Sequence, residues 1–69
     1  DVQNCIIFRG AKIGRNAVLK NCIIMQDTYV GDNAHLEYVM TDKDVLIKDS
    51  RVLIGIDTYP TYISKGSTI

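Results

Sequence analysis

The residue types best suited to chemistry are scarce in this chain of 69 residues. It contains one histidine, His35, and two cysteines, Cys5 and Cys22. Histidine and cysteine can transfer protons or bind metals, but a zinc site needs three or four such ligands close together. No second cysteine pair and no cluster of histidines accompanies them. The sequence therefore predicts no catalytic residue and no metal ligand, and the cysteines are expected to be reduced and to contribute to packing.

Two further groups of residues have the composition of a binding site. Asp42, Lys43 and Asp44 could bind a cation, but an alternating charge run is more typical of an exposed strand edge that stays soluble. Gly10 and Gly14 could belong to a phosphate-binding loop, but neither precedes a segment with a helical pattern, which such a loop requires. We therefore predict no cofactor-binding residue.

The elements that carry these residues recur along the chain with a fixed period of seventeen positions. Aliphatic residues fall into columns, with equal steps from Ile13 to Val30 (30 − 13) and from Val30 to Ile47 (47 − 30). A fixed period in this range indicates a stacked solenoid whose columns point inward. The fourth segment is looser, because ten residues rather than eleven separate Leu53 from Ile63. The predicted core consists of Val2, Leu19, Leu36, Leu53, Ile13, Val30, Ile47 and Ile63.

A shorter rhythm of about six residues divides each repeat into three strands and three corners. The segments lack the spacing of an amphipathic helix and are rich in β-branched residues, which favours strands. Corner positions with positive φ are expected at Gly14, Gly31, Asn16 and Asn33, with Asn4 and Asn21 as further members. The sequence therefore predicts an all-β fold, a parallel β-helix of about four such coils, in one domain that spans residues 1–69.

The fourth segment also contains the one proline, Pro60. Because proline cannot donate a backbone hydrogen bond, we expect an irregular loop over residues 57–61. Tyr59 and Tyr62 flank this proline, and such an aromatic pair could mark a surface that contacts a partner.

Composition restricts the possible partners. Eight basic and eight acidic residues give a formal net charge of zero, so the chain lacks the positive charge that nucleic acids and anionic membranes attract. Its longest apolar runs, Cys5 to Phe8 and Cys22 to Met25, are only four residues long. A membrane-spanning helix needs about 20 apolar residues. The sequence thus predicts neither nucleic acid nor membrane as a partner.

Certain strings in the repeats resemble a known family. Units of an aliphatic residue, glycine, two variable residues and alanine are similar to those of hexapeptide-repeat β-helices, a resemblance that implies a left-handed coil. More specifically, the chain resembles the C-terminal domain of bacterial glucose-1-phosphate adenylyltransferase (ADP-glucose pyrophosphorylase) through CIIFRGAKIGRNAVLKNCIIMQDTYVGDNAHLE, DKDVLI and LIG. It is most similar to the regulatory-type second subunit found in some Gram-positive bacteria.

This resemblance implies a role and a setting. The parent enzymes join ATP and glucose 1-phosphate into ADP-glucose and pyrophosphate in glycogen biosynthesis, using Mg²⁺ in an N-terminal nucleotidyltransferase domain. We therefore expect this chain to be a C-terminal fragment of a longer cytoplasmic protein, with a noncatalytic role in assembly and regulation. Its partners would be its own N-terminal catalytic domain and other subunits of a homo- or hetero-oligomer. Basic residues in the last coil of the family can meet anionic effectors, so Lys65 is a candidate effector contact.

Hexapeptide-repeat acyltransferases are similar in fold and provide the alternative function. They work as trimers, bind acyl-CoA between neighbouring coils and use a histidine as general base. His35 is the one candidate base, but it aligns with Val18 and Val52 at an expected corner and no protruding loop follows it. A β-helical carbonic anhydrase would need three histidines. An ice-binding β-helix would need a threonine ladder, whereas Thr28 has no threonine above or below it in its column.

Overall fold

The computed structural model describes residues 1–69 and consists of short strands without any helix. It therefore has no helix long and apolar enough to cross a membrane. The strands are β1 (Val2–Gln3), β2 (Ile6–Ile7), β3 (Lys12–Ile13), β4 (Val18–Lys20), β5 (Ile23–Ile24), β6 (Tyr29–Val30), β7 (His35–Glu37), β8 (Val39–Thr41), β9 (Leu46–Ile47), β10 (Val52–Ile54) and β11 (Thr61–Ile63).

These strands form three parallel sheets, which are the faces of a triangular solenoid. The first face contains β1, β4, β7 and β10, the second contains β2, β5, β8 and β11, and the third contains β3, β6 and β9. Successive turns of the chain add one strand to a face, so each inner strand of a sheet pairs with the strands one turn before and after it, and each edge strand pairs with one of them. The prediction of an all-β parallel β-helix is confirmed, with about three turns and, beyond the regular ones, a less regular fourth coil that adds β10 and β11 to the first two faces.

One column of inward side chains per face builds the core. Leu19 and Leu36 lie level in the first face, Val30 and Ile47 lie level in the third, and all four are fully buried. Burying an aliphatic side chain of this size stabilises the fold by about 1.5–3 kcal/mol relative to leaving it exposed. Val2 lies in the first-face column but is 46% exposed, because β1 has a neighbouring strand on one side only. Its expected place in the core is therefore wrong.

Two other predicted core residues, Ile13 and Leu53, are partly buried. Ile13 lies in β3 and Leu53 in β10, which form edges of their sheets. Both pack against the buried cluster, but each is covered from one direction along the solenoid axis. The depth of a core position thus depends on its place along the stack as well as on its side chain.

Ile63 is buried in a different column from the one that the sequence predicts. It pairs with Thr41 in the second face, and the step along the chain from Thr41 to Ile63 is five residues longer than the regular period. Ile63 does not stack on Ile47. Ile69 takes that place, because its backbone hydrogen-bonds to both neighbours of Ile47 in the third face. The error arose because five extra residues are close to the length of one side of the triangle. They bring a second-face isoleucine almost to the sequence position where a third-face residue is expected.

The extra residues, 56–60, form a small hairpin at the corner between the first and second faces. Ile56 and Tyr59 pair as antiparallel residues, with N···O distances of 3.0 and 3.4 Å between their backbones. The predicted loop ends one residue too late, since Thr61 already belongs to β11. All five residues of this hairpin are exposed.

Residues with positive φ, the left-handed backbone conformation, occur at the corners, but the two predicted glycines are not among them. Asn16 and Asn33 have φ of 59° and 61°, whereas Gly14 and Gly31 are not among the residues with positive φ. The positive-φ residues are Asn4, Asn21 and Tyr38 at the first corner, Gly10, Asp27, Asp44 and Gly66 at the second, and Asn16, Asn33 and Ser50 at the third. Short polar side chains tolerate this conformation because they can bond to the nearby backbone.

Gly14 and Gly31 are required by close stacking instead. A Cβ at Gly14 would lie 2.7 Å from the backbone nitrogen of Asp32, and one at Gly31 would lie 2.6 Å from that of Asp49. The same aspartates hold the coils together, since Asp32 Oδ1 accepts a bond from the backbone N–H of Arg15 at 2.8 Å, and Asp49 Oδ1 accepts one from Asp32 at 2.9 Å. A larger residue at either glycine would displace this carboxylate ladder.

Candidate functional site

Lys65 belongs to a column of long polar side chains at the corner between the second and third faces. Backbone hydrogen bonds between successive coils define the column. The N–H of Asp27 donates to the Arg9 carbonyl, and the N–H of Asp44 donates to the Gln26 carbonyl. The N–H of Gly66 donates to the Lys43 carbonyl in the same way. We call this column the corner column, and its members are Arg9, Gln26, Lys43 and Lys65.

An open depression lies along this column, lined by Arg9, Gln26, Asp27 and Lys43 and by no apolar residue. The side-chain oxygen of Gln26 is buried without a hydrogen-bond partner, so its amide nitrogen is the end of the group left free to donate. The lining therefore consists of N–H donors and one carboxylate. The sequence predicted Lys65 alone, because the longer step of the last coil hides the equivalence of residues 43 and 65.

The cations of the corner column have no ion-pair partner. The ion pairs of the structure join Arg15 to Asp32, at 3.9 Å, and His35 to Glu37. Arg9, Lys43 and Lys65 thus have no carboxylate oxygen within ion-pair distance, and all three are exposed. Lys43 and Lys65 nevertheless attract the Asp42 carboxylate electrostatically, which makes a smaller contribution to the lowering of its pKa.

Asp42 is engaged within the protein. The Tyr62 hydroxyl donates to Asp42 Oδ2 at 2.6 Å, and the Lys43 backbone N–H donates to Asp42 Oδ1 at 2.7 Å. These bonds lower the pKa of Asp42, with the Tyr62 bond as the largest cause, and the same bond raises the pKa of Tyr62. No group of three or more His, Cys, Asp or Glu side chains lies close enough to hold a metal ion. The Asp42–Asp44 segment is therefore a structural link between the third and fourth coils.

His35 lies on β7 in the first face, level with Val18 and Val52 as the columns predict. It is a strand residue rather than a corner residue, which corrects the predicted position. Its Nε2 lies 2.6 Å from Glu37 Oε2, since residues two apart on a strand project from the same face. The pair is partly exposed. A histidine oriented by a carboxylate in this way is able to accept a proton from a bound molecule.

The two cysteines stack on each other at the corner after the first face, and both are free. The backbone N–H of Cys22 lies 3.4 Å from Cys5 Sγ, and the Cys22 thiol donates to the Lys20 carbonyl at 3.2 Å. Burial raises the pKa of the Cys22 thiol, which keeps it in the unreactive protonated form at neutral pH. The arrangement is that of packing residues.

The second face has an apolar outer surface. Its outward column of level residues, which we call the outer column, consists of Ile6, Ile23, Met40 and Tyr62. Ile6 is 58% exposed and Tyr62 is 59% exposed, and Phe8 beside this column is also exposed. The predicted tyrosine pair is divided, with Tyr62 in the outer column and Tyr59 on the hairpin. Contiguous exposed apolar residues on a soluble fold typically mark an interaction surface.

The outward residues of the first and third faces are more polar. On the first face they include Lys20, His35 and Glu37, and on the third they include Lys12 and Tyr29. The second face thus stands out among the three as the one whose outer column is apolar at every level.

Comparison with known proteins gives one family. Residues 1–61 match the family model described as "GlmU-like, C-terminal hexapeptide". The match begins at the first residue and extends through the hairpin to the start of β11. No curated protein and no solved structure matches the chain significantly. The family found is broader than the predicted one, since the match is not specific to glucose-1-phosphate adenylyltransferase.

Proposed function

Because the chain belongs to the GlmU-like family of C-terminal hexapeptide repeats, a left-handed β-helix, we propose that it is a noncatalytic assembly and regulatory domain. Its parent would be a cytoplasmic subunit similar to glucose-1-phosphate adenylyltransferase. That parent would carry the nucleotidyltransferase domain, which uses Mg²⁺ with ATP, and this chain would join it to other subunits. The observation that carries the proposal is the apolar outer column of the second face.

Leaving this apolar column in contact with water has a free-energy cost. Burying apolar surface is favourable by roughly 25 cal/mol per Å², and strand pairing places successive members of the column about 4.8 Å apart. Ile6, Ile23, Met40 and Tyr62 therefore form a continuous ridge that a flat partner surface can cover. Tyrosine and methionine are also enriched at the centres of protein interfaces.

The interior of the fold supports a noncatalytic role. Its inward columns are filled by residues that pack against one another, and its corners are filled by residues that adopt positive φ. The parent reaction is then the task of another domain. We expect no formation of ADP-glucose when the isolated chain is incubated with ATP, glucose 1-phosphate and Mg²⁺; measurable turnover by the pure chain would contradict this.

The assembly role can be tested by sedimentation equilibrium of the isolated chain with two matched variants. Ile23→Lys places a charge in the outer column of the second face, and Tyr29→Lys places one in the outward column of the third face. We expect the unmodified chain and Tyr29→Lys to associate above the monomer mass of 7.7 kDa. Ile23→Lys should remain a monomer. A monomer at all concentrations for every variant, or equal effects of both substitutions, would contradict the proposal.

The alternative function, an acyltransferase that uses acyl-CoA, is favoured by one observation. The contact of 2.6 Å between His35 and Glu37 supplies an oriented base on an accessible face. This alternative predicts saturable binding of acetyl coenzyme A by the chain and acyl transfer that is lost in His35→Ala. The assembly role predicts neither. An assay with His35→Ala and Glu37→Gln beside the unmodified chain therefore separates the two functions.

A further inference from the structure

We infer that the free edge of β10 is a docking site for an extended peptide segment of another protein, which pairs with it as an added parallel strand. The segment that fits has aliphatic residues at alternate positions and an acidic residue at its amino-terminal end. This inference goes beyond the assembly role and does not depend on it, because β10 lies in the first face and the outer column lies in the second.

The first argument is the direction of the backbone groups of β10. Successive residues of a strand direct their N–H and C=O groups to opposite sides. The Arg51 carbonyl accepts a hydrogen bond from β7, and the Gly55 N–H donates one to β7. The N–H and C=O groups of Val52 and Ile54 therefore point to the open edge, where the first face has no further strand. These groups are satisfied best by the backbone of another strand.

The other edge strands are poorer templates for strand addition. In β11, Tyr62 alone faces the open edge, because the backbones of Thr61 and Ile63 bond to the preceding coil. The edge of β9 is covered by residues 67–69, which bond to its backbone. At the opposite end of the stack, β1, β2 and β3 have two residues each, so only one residue of each strand faces outward. Two outward residues distinguish β10.

The second argument is the chemistry of this edge. Val52 is 66% exposed and Ile54 is 54% exposed, and Ile56 on the adjoining hairpin is also exposed. Edge strands of soluble proteins commonly carry a charge or a proline that prevents pairing, but β10 contains neither. In strand addition, backbone bonds provide affinity and pairs of neighbouring side chains provide specificity. Aliphatic residues level with Val52 and Ile54 would cover both side chains.

The third argument is the charge of Arg51. In the earlier coils Ala17 and Ala34 occupy the equivalent position, one residue before the level residues of the first face, and both are buried. Arg51 is exposed and has no carboxylate within ion-pair distance. A further coil with a small residue at this corner would bury the guanidinium without a partner, which is costly. A peptide with an acid at that level would form a charge-assisted bond instead.

The test is a titration of the chain with the capped synthetic peptide Glu-Val-Leu-Val-Gly, followed by amide chemical shifts. The register of the first face places its glutamate level with Arg51 and its leucine level with Leu53. We expect saturable shifts centred on Val52 and Ile54. N-methylation of the leucine removes the N–H that donates to the Val52 carbonyl, so it should weaken binding roughly fivefold or more. N-methylation of the second valine is the matched control. Its N–H points away from β10, so affinity should change less than about twofold.

Variants of the chain test the same contacts from the other side. Ile54→Pro and Ile54→Ala both remove the isoleucine side chain, but only proline removes the N–H at the open edge. Proline is tolerated where that group faces solvent, so both variants should have similar unfolding temperatures, and only Ile54→Pro should abolish binding. Arg51→Gln should weaken binding of the glutamate peptide and leave binding of its glutamine analogue unchanged.

Three results would overturn the inference: no saturable shifts, shifts centred away from β10, or equal weakening by the two N-methylated peptides. The peptide comparison decides the question even if Ile54→Pro fails to fold. Self-association of the chain that Ile54→Pro abolishes and the peptide does not compete with would assign the edge to a second copy, and would also overturn it. None of these results bears on association through the second face, which Ile23→Lys and Tyr29→Lys measure separately.

Discussion

The first three coils follow one another at the regular period, whereas the second-face strand of the fourth coil lies five positions further along the chain than that period predicts. Both regions place apolar side chains in the same inward columns and hydrogen-bond in the same parallel register. They differ in burial and in their connections, since the fourth coil carries the exposed hairpin of residues 56–60 and forms one end of the stack. The column to which a residue belongs is therefore decided by strand pairing and not by its sequence position alone.

The two regions also contribute different parts of the surface. The regular coils contribute Ile6, Met40 and the partly buried Ile23 to the outer column. The fourth coil adds Tyr62 and the hairpin with Tyr59, which is 80% exposed. The fourth coil also adds Lys65 to the corner column. The insertion that lengthens one corner therefore leaves the outer column and the corner column continuous.

The largest expected difference between the regions is in the core. Ile47→Ala should lower the free energy of unfolding by about 2–5 kcal/mol, because Ile47 is fully buried between coils. Leu53→Ala should cost roughly half as much or less, since Leu53 is only partly buried in the last first-face strand. Urea unfolding of both variants measures the difference. Equal losses would show that the fourth coil is as tightly packed as the third.

Glycine substitutions should give the next largest effect. They distinguish close packing from a positive φ as the reason why glycine occupies a position. Gly31→Ala should cost about 1–3 kcal/mol, because the added Cβ would collide with backbone atoms of Lys48 and Asp49. Gly66→Ala should cost about 1 kcal/mol, because Gly66 has a φ of 77° but no atom within 4 Å of an added Cβ.

Substitution by asparagine is the matched control for the alanine variants of Gly31 and Gly66. Gly66→Asn should be nearly neutral, since asparagine tolerates positive φ, whereas Gly31→Asn should be as harmful as Gly31→Ala or worse. Thermal or urea unfolding of the four variants checks the pattern. Tolerance of alanine at Gly31 would contradict the close stacking of the regular coils.

Removal of the hairpin should have a smaller effect on stability. Deleting residues 56–60 joins Gly55 directly to Thr61 and restores the regular period. Gly55 then occupies the position of Tyr38, a corner residue with φ of 52° that glycine adopts readily. We expect the free energy of unfolding to change by no more than about 1 kcal/mol, because loop length affects closure entropy only weakly. Loss of cooperative unfolding would show that the hairpin holds the fourth coil in register.

The smallest effect concerns the bond between the third and fourth coils. Tyr62→Phe should raise the pKa of Asp42 toward its ordinary value, since the Tyr62 hydroxyl is the main cause of its lowering. A carboxyl group with a lowered folded pKa stabilises the fold above its unfolded pKa, and this contribution is lost as the pH falls through the folded pKa. The acid-induced loss of stability should therefore be smaller in Tyr62→Phe. Carboxyl chemical shifts during an acid titration measure the pKa directly.

Sequence reasoning predicted the fold class and the buried members of the first-face and third-face columns, because aliphatic pairs such as Leu19 with Leu36 repeat at a constant step. It did not predict the buried second-face residues Ile24 and Val39. It misplaced Ile63, since an insertion of nearly one side length mimics the pattern of the next face. It also misjudged Gly14 and Gly31, because the close approach of Asp32 and Asp49 is a tertiary contact that the local sequence does not reveal.

The candidate sites were less predictable for the same reason. Lys65 was predicted through the resemblance of its segment to a family, but Arg9, Gln26 and Lys43 become its neighbours only when the last coil is shifted by five residues. The contact between His35 and Glu37 follows from strand geometry, which the predicted corner position had obscured. Side-chain clusters in a solenoid therefore depend on register, and one insertion is enough to hide them.

A dilution series followed by amide chemical shifts tests directly whether the second face is the assembly surface. As the concentration of the isolated chain rises, we predict shifts at Ile23, Met40 and Tyr62, with little change at Lys20 on the first face and Tyr29 on the third. The Ile23→Lys variant should show no such shifts at any concentration. Shifts that spread evenly over the three faces, or that centre on the first or third face, would contradict assembly through the second face.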